Sequence, residues 1–205
     1  DLTLSGEEMA YAGYRLGSIR LEGTLDDSGA LALNSLSLEN RQSRAGIRGR
    51  IGLLQYQPGG YPRISRSFPL ELTIDLDSFD PVDFLPGEDL QGRLNGSISA
   101  EGSLASPRFQ ASLEGKEIVA RGFPIGNAAA GFEFSGGAFD FTRLQVTRRG
   151  SSLSARGRIT LLDERMKVLD DPGLDLEILE SRISAQDFIA GGEGDFRISG
   201  KLRGS

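Results

Sequence analysis

The sequence predicts an all-β chain built by repetition. Three observations carry that reading: apolar and polar residues alternate strictly, glycine is in excess as punctuation, and one long pattern occurs twice. Glycine accounts for 28 of 205 residues, about twice the usual ~7% share. The glycines follow no collagen period and form no low-complexity run; they separate short alternating segments, as hairpins and strand bends require.

Taken in order, the first strand-like run is Ile19 to Leu25, ended by the turn residues Asp26-Asp27-Ser28-Gly29. Ile47 to Leu53 comes next, with Pro58-Gly59-Gly60 as a turn beyond it. Leu70-Glu71-Leu72-Thr73-Ile74-Asp75-Leu76-Asp77 then alternates without a slip, the mark of a half-buried strand. Asp80 to Gly87 is suited to one short helical turn, because Pro81 fits a first helical position. Leu94 to Leu104 alternates again, Ser135-Gly136-Gly137 marks a hairpin, and Leu153 to Leu161 and Leu174 to Ile178 resume the pattern. Ala185 to Gly191 is the counterpart of the first helical turn, and Phe196 to Leu202 is the last strand. Nothing else is long enough to be a helix covering a sheet face, which leaves the class all-β.

The repeat sets the architecture. Gly6, Gly13 and Gly17 recur as Gly115, Gly122 and Gly126. Ala30, Leu31, Leu33, Leu36 and Leu38 recur as Ala138, Phe139, Phe141, Leu144 and Val146, and Gly49-Arg50-Ile51 as Gly157-Arg158-Ile159. Later in the unit, Asp83-Phe84 matches Asp187-Phe188, and Gly96, Ile98, Gly102 and Leu104 match Gly194, Phe196, Gly200 and Leu202. Two copies, about 1–105 and 106–205, therefore span the chain. A sheet continued by repetition has open ends, and the first residue is Asp rather than Met. Both features lead us to expect a piece of a longer β-groove.

Composition narrows the function. The net charge of −6 comes from interspersed acids and bases, so no basic stripe invites nucleic acid. With neither His nor Cys in the chain, a Ser–His triad, a Cys–His dyad and the usual zinc sites are ruled out. The absence of Cys suits an oxidising compartment. Asp26-Asp27, Asp75 with Asp77, and Asp170-Asp171 are carboxylate pairs, but none lies in a calcium-loop pattern, and turn or wet-face positions account for them. No catalytic residue, metal or cofactor is expected. Gly191-Gly192-Glu193-Gly194 is followed by no helix and is read as a loop, while Arg148-Arg149 is read as a solvated hairpin tip.

The apolar face is the feature that a soluble enzyme would not need. If the alternation is read correctly, Leu72, Ile74, Leu94, Ile98, Phe132, Phe134, Ile159, Ile178 and Phe196 line one apolar surface. Small residues such as Gly96, Ala100, Ala128, Ala130 and Ala155 share it, and there is no Trp, so it is under-filled for a close-packed core. An elongated, curled sheet with an open apolar interior tolerates this; a closed β-sandwich is the alternative.

Leu90 to Pro107 (LQGRLNGSISAEGSLASP), with Asp80 to Gly87 before it and Gly157-Arg158-Ile159-Thr160-Leu161 closing the unit, resembles the recurring glycine–leucine–proline line of the TamB family and its AsmA-like relatives. The likeness covers both copies and lies in order and spacing rather than in any single residue; Gly204-Ser205 stands where the last copy's Pro would fall. This resemblance implies a taco-like groove in the periplasm of a Gram-negative bacterium, within a parent protein anchored in the inner membrane. It implies passage of phospholipid acyl chains toward the outer membrane, in partnership with an outer-membrane barrel of the TamA/BamA type, and no catalytic residues.

Two other readings compete. A chaperone-like module could use an open edge strand to assist outer-membrane protein assembly by β-augmentation. A closed, stalk-like domain would have no accessible apolar interior. A carbohydrate-active enzyme is disfavoured by the low aromatic content of 7%.

Overall fold

The computed structural model describes residues 1–11, 14–27, 29–52, 54–55, 63–64, 69–84, 90–103, 105–163, 167–187 and 194–204. Its strands, in chain order, are β1 (Leu2–Tyr11), β2 (Tyr14–Leu25), β3 (Ala30–Asn40), β4 (Ser43–Gly52), β5 (Leu54–Gln55), β6 (Arg63–Ile64), β7 (Pro69–Phe79), β8 (Leu90–Ser103), β9 (Ser106–Ala120), β10 (Phe123–Ser135), β11 (Ala138–Arg148), β12 (Ser151–Leu162), β13 (Val168–Ser184), β14 (Asp195–Phe196) and β15 (Gly200–Gly204). Helical structure among the described residues is limited to Pro81–Phe84 and the 3₁₀ turn Ala185–Asp187.

Thirteen strands form one sheet, in the order β1-β2-β3-β4-β7-β8-β9-β10-β11-β12-β13-β14, with β15 also on β13. Neighbours are antiparallel and β1 does not meet β14 or β15, so the sheet does not close into a barrel. Apart from the small β5–β6 pair, the described strands hydrogen-bond along one path rather than in two separate sheets. The chain divides into two compact units, Asp1–Glu88 with Leu94–Phe109, and Asp89–Arg93 with Gln110–Ser205.

Within each unit the same device recurs. Leu33 faces Gly49 and Leu36 faces Ile47, so β3 carries one residue more than β4 between those pairs. In the second unit Phe141 faces Gly157 and Leu144 faces Ala155, with the same surplus on β11. Such a bulge bends its strand and raises its twist. Further surplus residues lie on β1 before Met9, on β7 between Leu76 and Phe79, and on β13 between Ile178 and Glu180. Two amides of left-handed strand residues are met by asparagine: Ser78 N–H donates to Asn95 Oδ1 at 2.9 Å, and Glu117 N–H to Asn127 Oδ1 at 3.2 Å. Ser78 and Glu117 have φ of 51° and 55°, a conformation that costs energy for side chains of their size and persists where neighbours hold it.

A buried serine–aspartate clasp ties each helical turn to a hairpin. In the first unit Ser43, 0% exposed, donates from Oγ to Asp83 Oδ2 at 2.6 Å and accepts the Asp80 N–H at 2.8 Å. Asp80 Oδ1 in turn accepts the Val82 N–H, and Phe84 stacks on Phe79 with centroids 4.9 Å apart. In the second unit Ser151 donates to Asp187 Oδ2 at 2.6 Å and accepts the Ser184 N–H at 3.0 Å. The copies differ at the carboxylate, since Arg41 also holds Asp83 at 2.9 Å, while Asp187 has no ion pair among the described residues. Ser151→Ala should therefore cost about 2–3 kcal/mol, because a buried carboxylate loses its donor. Ser43→Ala should cost roughly half as much, since Arg41 remains; denaturant melts of the two variants decide the order.

The last strand departs from the sequence repeat. Phe196 to Leu202 is not continuous: β14 ends at Phe196 and β15 starts at Gly200. In the first unit Leu72 faces Ala100 and Leu70 faces Gly102, whereas Leu176 faces Leu202 and Leu174 faces Gly204. Gly204, rather than Gly200, thus takes the place of Gly102. The hydroxyl of buried Ser181 fixes the break, accepting the Ile198 N–H and donating to the Ile198 carbonyl, each at 2.7 Å. Gly13, Ser28, Leu53, Pro58-Gly59-Gly60, Leu85 to Gly87, Leu104, residues 188–193 and Ser205, used above in reading strands, turns, helical turns and repeats, lie outside the described residues.

Candidate apolar binding face

In an antiparallel pair, residues directly opposite share a face. Across the first unit the register links Leu4 to Leu21, Leu21 to Leu36, Leu36 to Ile47, Ile47 to Ile74 and Ile74 to Ile98. The flanking rows behave alike, with Leu72 between Gly49 and Ala100, and Phe79 opposite Leu94. Leu72, Ile74, Leu94 and Ile98 therefore stand together on one side of that unit, in a surface that no charged side chain interrupts among the described residues.

The second unit repeats the arrangement with larger side chains. Phe132 faces Phe141, which faces Gly157, which faces Leu176. Phe134, Phe139, Ile159 and Leu174 form the next row, and Ala130, Leu144, Ala155 and Ile178 the one on the other side. Ile183 carries the same face to Phe196. Phe132, Phe134, Ile159, Ile178 and Phe196 thus share one side of this unit. Four rings cluster there: Phe139 lies 5.4 Å from Phe132, 4.8 Å from Phe134 and 6.2 Å from Phe141. Leu31 and Leu33 stand where Phe139 and Phe141 do in the second unit, so the second face is more aromatic.

This face is only partly covered. Fully buried apolar residues are few and mostly small, such as Ala45, Ala100, Ala138 and Ala155. Leu72, Ile74, Leu94, Ile98, Phe132, Ile159 and Ile178 are half-buried, Phe134 is buried, and Phe196 is 57% exposed. Small side chains leave room beside the large ones, which a core packed to native density would fill.

The opposite face is wet and charged. Arg48 pairs with Asp75 at 2.7 Å, Arg44 with Asp77 at 3.6 Å, and Arg50 with Asp26. In the second unit Arg156 pairs with Glu177 at 2.7 Å and Arg158 with Asp140 at 3.4 Å. These pairs are exposed and each is worth below about 1 kcal/mol, so their main effect is to keep that side hydrated. A hollow of about 500 Å³ in the first unit lies among Ser5, Gly6, Glu7, Ser18, Ile19, Arg20, Ser37 and Glu39, most of them hydrophilic.

Alternation found the face. It did not find the serine–aspartate clasps, although Ser43/Ser151 and Asp83/Asp187 recur at matching places in the two copies. Arg41, beside the hairpin, is an ion-pair partner of the half-buried Asp83 carboxylate. The chain matches no family model, and no curated protein or solved structure matches it.

Proposed function

We propose that this chain is a segment of a lipid-conducting β-surface, carrying phospholipid acyl chains between the inner and outer membranes of a Gram-negative bacterium for outer-membrane biogenesis. The observation that carries the reading is an apolar face whose rows run from strand to strand within each unit, bear no charge among the described residues and stay partly uncovered. A soluble protein rarely keeps so much contiguous apolar surface without a use for it.

The energetics suit transfer rather than storage. Each methylene removed from water contributes about 0.8 kcal/mol, so an acyl chain of roughly sixteen carbons gains on the order of 10 kcal/mol on the face. Rows of Leu, Ile, Phe, Ala and Gly offer like contacts at each step, so movement along them exchanges equals. Head groups stay in water beside the face, and the arginine–carboxylate pairs keep the other side solvated. The TamB-like resemblance supplies the setting: the periplasm, a parent protein held in the inner membrane, and an outer-membrane barrel of the TamA/BamA type as the distant partner. The chain's contribution is a surface, with no chemical step.

Native mass spectrometry of the chain purified from a Gram-negative periplasm tests this directly. The expected result is co-purified phospholipid at about one or more per chain, together with lipid crosslinks from a photoreactive residue at position 98 or 132. Folded protein that is free of lipid and never crosslinks it would overturn the proposal.

A further inference from the structure

Two neighbouring hairpin tips of the second unit carry arginines where its apolar face ends. We propose that Arg121, Arg148 and Arg149 bind the head-group phosphate of a phospholipid whose acyl chains lie on that face. The proposal rests on the lipid reading above and adds the polar end of the same ligand.

Alternation along β11 brings the charge to the face. Leu144, Val146 and Arg148 lie on one side and face Ala155, Leu153 and Ser151 of β12. Ala128 of β10 continues the Val146 row. The apolar rows therefore give way, one step along the strand, to a guanidinium. That guanidinium lies over the Phe123 ring, 5.6 Å from its centroid, and Phe123 is 51% exposed. A ring held against the flat side of an arginine fixes the plane in which its N–H groups meet an acceptor.

The turns themselves supply the other two charges. Arg149 heads the β11–β12 hairpin and Arg121 the β9–β10 hairpin, two residues before Phe123, and both are exposed. Their φ values are 49° and 50°, a conformation for which tight hairpins select Gly or Asn. Turn geometry thus does not account for arginine at either place.

The first unit uses the matching positions differently. Asn40 and Arg41 hold the places of Arg148 and Arg149. Asn40 Nδ2 donates to the Asp83 carbonyl at 2.6 Å and the Arg15 carbonyl at 3.0 Å, and Arg41 pairs with the Asp83 carboxylate. In the second unit the buried Asp187 carboxylate is turned to Ser151 Oγ, and Arg149 forms no ion pair among the described residues. A neutral amide has become an arginine, and the arginine beside it has no carboxylate to hold. Phosphate oxygens match the guanidinium fork, and a phosphodiester at this tip places its acyl chains over the Val146 and Leu144 rows.

Titration of the full chain with phosphatidylglycerol or diacylglycerol of the same acyl chains, each in neutral detergent micelles, tests this; crosslinking from a photoreactive residue at position 132 reports occupancy. Wild type should prefer the phosphate-bearing lipid by about tenfold or more, and added salt should erode the preference. Arg121→Gln/Arg149→Gln should abolish that preference and leave diacylglycerol binding unchanged. Arg156→Gln, the same loss of charge on the opposite face, should keep it. Circular dichroism melts verify folding, and Arg149→Gln alone, with a partial loss, serves if the double variant does not fold. Binding of neither lipid would overturn the lipid reading and this inference with it. Equal binding of both lipids, a preference that survives the tip variants or is lost equally in Arg156→Gln, would overturn this inference alone. So would inorganic phosphate binding as tightly as the lipid, which would mark a site for the free ion.

Discussion

Ile98→Asp should leave the chain folded and strip it of bound acyl chains. Ile98 faces Ile74 across β7 and β8 and is half-buried on the uncharged side of the first unit. With no lipid on the face, a carboxylate there reaches water and costs the fold little. With an acyl chain over it, the same carboxylate loses hydration and gains no partner, at a cost of several kcal/mol, which is at least a hundredfold in affinity. The control is Ser37→Asp, which places the carboxylate on the hydrophilic side opposite Arg20 and should leave lipid binding at the wild-type level. Thermal melts, co-purified lipid and crosslinks from a photoreactive residue at position 74 separate the outcomes. A closed interior predicts the opposite: Ile98→Asp would bury an unpaired charge and destroy cooperative folding, which would sink the open face.

How much of this was legible in the sequence differs from element to element. Leu70 to Leu76 alternates cleanly, and the register places those apolar residues on one face. The bulges also left a trace, because Leu33 and Leu36, like Phe141 and Leu144, are separated by two polar residues where strict alternation allows one. The clasps left almost none. Ser43 and Asp83 are far apart in the chain, and a serine beside a turn is an ordinary turn residue until a helical turn closes over it. The last strand was misread for a physical reason. A shift of four residues is even, so it keeps the apolar residues on the same face and changes little of the burial that normally fixes register. What decides between the two registers is the Ser181 hydroxyl on the Ile198 backbone, a local hydrogen-bond pair that no periodicity reveals.

The largest loss of stability should come from Gly157→Ala, one methyl group on the apolar face. Gly157 sits opposite Phe141 on one side and Leu176 on the other, beside the β11 bulge, with φ of 139°. A Cβ there would run into the Asp175 carbonyl oxygen and come 2.8 Å from Leu176 Cα. Both obstacles are backbone, so no side chain can rotate away, and the strand must shift or the φ must change. Strain at such a φ costs about 1–3 kcal/mol. With the overlap added, the loss should be roughly 3 kcal/mol or more, which lowers the melting temperature by on the order of 10 °C in a chain of this size. Gly49 has the same surroundings in the first unit, with φ of 134° and the Glu71 carbonyl and Leu72 Cα in the way, so Gly49→Ala should cost a similar amount. Gly46 is the control: it lies in β4 as well, and a Cβ there meets nothing within 4 Å, so Gly46→Ala should be neutral or slightly stabilising. Because Gly49 and Gly157 let β4 and β12 lie tightly against their neighbours while leaving the apolar face without a side chain, these positions join the bend of the strand to the room above it. Equal melting temperatures for the Gly157→Ala and Gly46→Ala variants would show that the strand is not held in that bend.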